Sequence, residues 1–351
     1  MSHSASGASS PHAFPDTYRE RNRWVERLRP EVVRAVRPER AAGSFVEREP
    51  GKNVGFSDVF TLFLSNKECP WRCVMCDLWR HTLLENTPAG AIPHQIRTSL
   101  AELTESTRGN ENLSRERHLK LYNSGSFFDA RAIPPVDHEE IARLAAPFHK
   151  VIVECHPHLI DERCLRFRDL LLENVPAGSE PRLEIAIGLE TANPEVLNKL
   201  NKGFGLPGFE KAARFLQKNE IGLRVFLLVQ PPFLPVSEVR DWTLRSVNYA
   251  RANTSAVISL IPTRGGNGAM EELQTQGLFT PPSLATLEEC QQEALNAANG
   301  ETIILADTWD LQPFATCEDC REERVARIGR INLSQSWCPA VACSQCGFKP
   351  G

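Results

Sequence analysis

Cys69, Cys73 and Cys76 stand in the run Glu68-Cys-Pro-Trp-Arg-Cys-Val-Met-Cys-Asp77, a C-x3-C-x2-C spacing that follows directly on the apolar stretch Val59 to Leu64. Zinc knuckles pair cysteines two apart and need a second pair, whereas three thiolates this close can grip three corners of one iron–sulfur cube. A fourth iron would keep an open coordination position, and an open position is where substrate chemistry takes place. The competing reading is three buried thiols or half of a zinc site. A second set, Cys317-Glu-Asp-Cys320 and Cys343-Ser-Gln-Cys346, pairs two C-x2-C units with 22 residues between them. That spacing suits a tetrahedral zinc in a small ribbon-like module, and the additional Cys338 keeps a second iron–sulfur cluster open.

The elements that must position these cysteines follow from the pattern around them. From residue 58 onward short β-rich runs alternate with amphipathic stretches, the sign of parallel strands joined by crossover helices. Six strands are predicted: Val59 to Leu64, His118 to Asn123, Lys150 to Cys155, Leu183 to Leu189, Leu223 to Gln230 and Ala256 to Ile261. Helices are expected over 137–148, 162–173, 207–219 and 238–252. The fold class is therefore α/β, a partial (β/α)6 barrel over 58–300. Active sites of such barrels lie at the carboxyl ends of the strands. In the fourth strand Leu183, Ile185, Ile187 and Leu189 alternate with Glu184, Ala186, Gly188 and Glu190, which sends the second set into the lumen and Glu190 to its mouth.

Outside the barrel, residues 1–17 read as a disordered tail. Residues 18–49 carry nine Arg and six Glu around apolar residues at near-helical spacing and are expected to form a helical extension, with a basic RNA-facing arm as the sharper alternative. Residues 301–351 make a cysteine-rich C-terminal module, in which Arg321, Arg324, Arg327 and Arg330 recur every three residues and could line one helical face. The formal net charge of −4 excludes a strongly basic nucleic-acid binder. Eleven cysteines and an N-terminus without an apolar signal core point to a reducing, cytoplasmic setting, and no apolar run is long enough to span a bilayer.

The cysteine run resembles the signature of the radical S-adenosylmethionine (radical SAM) superfamily. The resemblance implies a [4Fe-4S] cluster on Cys69, Cys73 and Cys76 whose open iron chelates the amino and carboxylate groups of SAM. The residue before the third cysteine is usually aromatic there, and here it is Met75, large and polarizable enough to pack on an adenine. Further positions follow from the resemblance. Asn123, Ser124 and Gly125, in Tyr122-Asn-Ser-Gly-Ser-Phe-Phe-Asp129, hold the place of a small turn at the SAM amino group, where the usual two glycines and an acid are replaced. Glu190 matches an acid that bonds the ribose hydroxyls, a sound fit for a carboxylate; its structural alternative is a lumen salt bridge with Arg224. Asp77, Gln230, Pro262 and Gly265 complete the expected cofactor contacts. The turn Pro262-Thr-Arg-Gly-Gly-Asn-Gly-Ala-Met270 resembles the adenine-cradling turn, and its glycines and Arg264 could equally suit a phosphate. At the end of the third strand, Glu154-Cys155-His156-Pro-His158 makes a plausible substrate-side set in which Cys155 could donate a hydrogen atom; Cys155 and Arg264 are the candidate catalytic residues.

Together with Gly90-Ala-Ile-Pro93 and the paired tail cysteines, these motifs over 58–347 resemble the archaeosine synthase radical SAM subunit and its bacterial relatives. That resemblance implies cleavage of a C–N bond of a lysine adduct on a 7-deazaguanine base of tRNA, an external electron donor such as ferredoxin or flavodoxin, and a partner subunit. A radical SAM enzyme on a small metabolite or peptide, a methylthiotransferase-like or Elongator-like tRNA modifier, and a non-catalytic iron–sulfur sensor or nucleic-acid adaptor are the alternatives.

Overall fold

The computed structural model describes residues 13–51, 55–109, 117–175 and 182–346. The strands are β1 (Gly43–Gly51), β2 (Gly55–Phe63), β3 (Arg117–Tyr122), β4 (Lys150–Glu154), β5 (Arg182–Glu190), β6 (Gly222–Val229), β7 (Val257–Pro262) and β8 (Ile303–Ala306). The helices are α1 (Tyr18–Leu28), α2 (Ala91–Ser106), α3 (His138–Ala145), α4 (Glu162–Glu173), α5 (Pro194–Lys199), α6 (Leu206–Lys218), α7 (Val239–Ala252), α8 (Ala269–Thr275), α9 (Leu284–Ala298) and α10 (Arg321–Ser334). Among the described residues no helix is long and apolar enough to cross a membrane.

All eight strands form one sheet in the order β1 to β8. Neighbours from β2 to β8 are parallel, and β1 returns antiparallel on β2. A sequential parallel order with helical crossovers curls into a barrel whose outer face packs on helices. Accordingly Leu183, Ile185, Ile187 and Leu189 of β5 belong to the core between sheet and helices, while Ala186, Gly188 and Glu190 face a central cavity.

The six expected strands are present, and the sheet gains one strand at each edge. The helical extension expected over 18–49 is corrected: only α1 is helical there, residues 29–42 form no helix or strand, and β1 follows. The charged alternation Glu47, Arg48, Glu49 reads as a solvated surface, yet Glu47 and Glu49 point into the lumen, where buried cations receive them. The second addition, β8, is four residues long, too short for its period to stand out, and it carries the sheet past residue 300. Residues 1–12 of the expected tail lie outside the described residues; Phe14 packs against Trp24 at a centroid distance of 5.4 Å and against Phe233 at 4.6 Å.

No ladder joins β1 to β8 among the described residues, and α10 lies in that seam against both. Its side-chain amides satisfy the β8 edge as another strand would. Asn332 accepts from the Ala306 N–H and donates to the Ala306 carbonyl, both at 2.8 Å. Gln335 does the same for Ile304, at 2.8 and 2.9 Å. An uncovered edge strand is a pairing hazard, and this helix removes it. Arg324 and Arg327 of α10 are buried on Glu288 of α9, at 3.0 and 2.8 Å. The arginine row is thereby corrected: half of it faces inward and ties the C-terminal module to the barrel.

Candidate active site

The loop after β2 carries the three cysteines to the carboxyl ends of the strands, where Cys69, Cys73 and Cys76 line a cavity of about 750 Å³. That size is within the range of small-molecule sites. The loop has little regular structure and is held by its neighbours. Val74 N–H donates to the Leu200 carbonyl at 3.0 Å. The Asn201 amide donates to the Arg72 carbonyl at 2.8 Å. Asn267 does most of this work, donating to the Val74 and Cys76 carbonyls at 2.7 and 3.2 Å while accepting from the Met270 N–H at 2.9 Å. Arg29 and Arg34 pair with Glu68, next to Cys69, at 2.8 and 3.0 Å. These two arginines therefore brace the cysteine loop and do not form an outward RNA-facing arm.

Burial, and then repulsion between neighbouring thiolates, pushes Cys69 up to about 12 and raises Cys76 as well. Burial also raises Cys73, against the pull of Lys202. Three thiols that resist ionisation as a bare set become good ligands once metal cations supply the compensating charge. The donor set thus fits a bound iron–sulfur cluster. The turn after β3 packs on this loop: Gly125 lies so close to Cys69 that an added Cβ would sit 3.4 Å from the cysteine Cβ.

Several strands change direction at this end through residues with left-handed backbone: Ser124 after β3 (φ 52°), Glu190 at the end of β5 (φ 67°) and Gln230 after β6 (φ 58°). Such conformations cost about 1–3 kcal/mol each and cluster at functional sites. At Glu190 a register shift between Gly188 and Glu190 accompanies the turn and puts the carboxylate on the cavity wall. Its partner is Lys202, at 2.5 Å. The alternative pairing with Arg224 is corrected: Arg224 binds Glu49 through two bonds of 2.7 and 2.8 Å and Glu184 at 2.7 Å, lower in the lumen. With Lys120 on Glu49 and Lys150 on Glu184, these groups close the barrel floor.

Of the other expected cofactor contacts, Met75, Asp77, Ser124, Gly125 and Pro262 are on the cavity wall. Asn123, Gln230 and Gly265 are not among its lining. Asn123 is fully buried, with neither amide atom partnered among the described residues. The Gln230 amide donates to the Thr280 carbonyl. Gly265 packs against Glu271, whose carboxylate accepts from Gly266 and Gly268 N–H. Those two amides are therefore already used, which leaves Arg264 as the charged group of this turn still facing the cavity.

Cys155 and Arg264 both reach the cavity. Burial holds the Cys155 thiol well above its ordinary value, so it stays protonated. Arg264 pairs with Asp307 at 3.0 Å. His156 is on the cavity wall as well, but its ring is engaged by protein neighbours. It stacks flat on Trp71 of the cysteine loop, 3.6 Å between centroids, and shares a 2.8 Å hydrogen bond with the Lys202 carbonyl. Burial lowers it to about 3 and keeps it neutral. A neutral ring bonded to a carbonyl through Nε2 carries its proton there, leaving Nδ1 to accept from the His158 N–H at 3.3 Å.

The tail cysteines also converge. The Sγ atoms of Cys317, Cys320, Cys343 and Cys346 lie within 4.8 Å of one another, as four corners around one ion would. Burial raises Cys320 to about 12, whereas the backbone N–H groups of Cys346 and Gln345 lower Cys343 to about 7. Cys338 is held apart in a different role, its carbonyl accepting from Arg327 at 2.8 Å.

Sequence reasoning missed Lys202, Asn267 and Glu49. Only Asn267 fell inside a motif already singled out, and nothing in the local pattern distinguishes it from a turn former. Glu154, named in the substrate-side set, is on the cavity wall.

No family model matches the chain. Archaeosine synthase subunit beta of Methanosarcina acetivorans is 26% identical over 288 residues, which cover 79% of each protein. The protein of that name from Thermococcus kodakarensis is 31% identical over 170 residues, 47% of this chain and 51% of the relative. Among solved structures, methylornithine synthase superposes with a TM-score of 0.50 at 14% identity, covering 79% of this chain and 69% of its own, a likeness of fold alone. The chain thus shares the barrel fold of methylornithine synthase and is similar in sequence to archaeosine synthase subunit beta over most of its length.

Proposed function

We propose that the protein is a radical SAM enzyme acting on a modified base of tRNA, as a C–N lyase of the archaeosine-synthase type. The observation that carries the chemistry is the placement of Cys69, Cys73 and Cys76 on one loop at the mouth of the lumen cavity. The tRNA substrate rests on the names of the sequence relatives.

When bound, a reduced [4Fe-4S] cluster would cleave SAM and supply a 5′-deoxyadenosyl radical to take a hydrogen atom from the substrate. Around it, Glu190 would accept from the ribose hydroxyls, oriented by Lys202. Met75 and Pro262 would flank the adenine from the cavity wall. Cys155, protonated and facing the same space, is the candidate hydrogen-atom donor to a product radical. Arg264, held by Asp307, is the candidate contact to substrate at the rim. The ionic floor and the α10 seam limit water entry from below and from the side, which a radical reaction requires. The tail cysteines would hold zinc and fasten α10. An external one-electron donor, a partner subunit and a reducing, cytoplasmic setting belong to the same reading.

The test is anaerobic reconstitution, reduction with dithionite and chromatographic detection of 5′-deoxyadenosine, beside a Cys73→Ala variant. Production by the wild type alone supports the enzyme, and nucleoside analysis of tRNA treated with it tests the substrate. A full cluster with no SAM binding would support the sensor or adaptor alternative.

A further inference from the structure

Five aromatic rings on the cavity wall touch one another in a continuous band. Trp309, on the loop after β8, meets Phe45 of β1 at 4.9 Å between centroids and Phe63 of β2 at 5.9 Å. Phe63 is 6.4 Å from Tyr122 of β3. Tyr122 in turn meets Phe226 of β6 edge-on at 6.0 Å, although β3 and β6 are not neighbours in the sheet, so the band crosses the lumen. Four of these rings are half-buried, whereas Trp309 is 53% exposed. Among the described residues no ring lies flat on it: Phe45 is tilted by 53° and Phe63 stands at 89°. Trp71 and Trp337, by contrast, have a face covered, by His156 at 3.6 Å and by the Arg327 guanidinium at 4.1 Å.

The backbone that carries this open ring is fixed. The Trp309 N–H donates to Asp307 at 3.1 Å, its carbonyl accepts from Arg264, and Arg264 and Asp307 are themselves paired at 3.0 Å. Phe45 and Phe63 support the indole from the sheet. A flat apolar surface left open and positioned in advance loses little conformational freedom when a second ring covers it, and that ring removes its apolar area from water.

Resting on the function proposed above, we propose that Trp309 is a substrate-binding residue, the platform on which the planar base of the substrate stacks. A base belonging to a polynucleotide must leave its own stack to enter a cavity, and an aromatic side chain replaces the stacking it gives up. Trp309 is the exposed member of the band, where a base still attached to its chain can arrive from solvent. Arg264 and Asp307 are positioning residues for the indole.

The test uses the full-length protein with its cluster reconstituted anaerobically, left oxidised and saturated with SAM, and guanosine as the probe. Dissociation constants come from equilibrium dialysis. Wild type should bind guanosine without releasing SAM, and Trp309→Leu should weaken that binding by about 5- to 150-fold, the scale of one base stacked on an aromatic side chain. Trp309→Phe keeps a ring and should weaken it less, while losing the quenching of tryptophan emission that guanosine produces in wild type. Iron content should be unchanged in both variants. Trp309→Leu that binds guanosine as tightly as wild type overturns the proposal, as does wild type with no saturable binding. Equal quenching in wild type and Trp309→Phe also overturns it, and so does release of SAM by guanosine, which would make the platform part of the cofactor's own site. Failure of the cluster-loaded wild type to bind SAM, with guanosine still held on Trp309, would instead overturn the functional reading and leave the stacking platform in place.

Discussion

Replacing Asn267 by Ala should loosen the cysteine loop without touching a cysteine. The side chain is 2% exposed and makes three hydrogen bonds, to the Val74 carbonyl, the Cys76 carbonyl and the Met270 N–H. Each such bond contributes about 0.5–1.5 kcal/mol net, so their sum is about 3 kcal/mol. The upper end is favoured because the three backbone groups stay buried when their partner is removed. Two of them belong to the segment 73–76, so the local effect is an increased rate of opening around two cysteines. Urea unfolding of the apo protein should show a loss of about 2–4 kcal/mol at an unchanged slope. In the reconstituted protein, the visible absorbance of the cluster should bleach faster in the presence of a chelator. Asn267→Asp should be no milder, since it keeps the acceptor for Met270 but turns lone pairs toward two carbonyls. A stability change under about 0.5 kcal/mol, the level of an ordinary surface substitution, would refute the assignment of Asn267 as the tie between the β7 turn and the loop.

Three further outcomes follow from the geometry. Burial raises the Glu49 carboxyl, but Arg224 and Lys120 more than reverse this and hold it well below the usual carboxylate range; its contribution is therefore present above the unfolded value of about 4.3 and is lost as pH falls through the lower folded value. Thermal unfolding from pH 7 to pH 3 should show that loss, and Glu49→Gln should remove about 3–5 kcal/mol at pH 7 by stranding buried cations. Cys320→Ser or Cys343→Ser should abolish zinc binding while leaving the iron of the barrel cluster in place, and should speed hydrogen exchange at the Ile304 and Ala306 amides that α10 covers; unchanged exchange would count against α10 as a metal-fastened wedge. Gly268→Ala should destabilise by more than about 2 kcal/mol in denaturant titration, because its φ is 88° and an added Cβ would overlap the Leu28 carbonyl of α1; a neutral result would mean that α1 does not pack on this turn.

The sequence by itself made the cysteine loop and most of the barrel legible. A C-x3-C-x2-C run after an apolar strand is local, and so is the alternation Leu183 to Glu190 that separates core from lumen; both survive in the fold because period and spacing need no knowledge of distant residues. The boundaries of β3 to β7 are legible to within a residue for the same reason, whereas β2 begins four residues before the expected Val59. What only the tertiary structure decided are pairings across the chain. Glu47 and Glu49 look like surface charges until the lumen offers Lys120 and Arg224, and the return strand carrying them hides inside a helix-like pattern for that reason. Arg324 and Arg327 look like a basic face until α9 presents Glu288. His156 looks like a freely titrating imidazole until Trp71 lies flat on it and burial keeps it neutral. Gly265 and Gly266 look like a ligand cradle until Glu271 fills it. In each case the residue type permits two roles, and the choice between them is made by which partner arrives within hydrogen-bonding reach, a quantity set by packing between elements far apart in the chain.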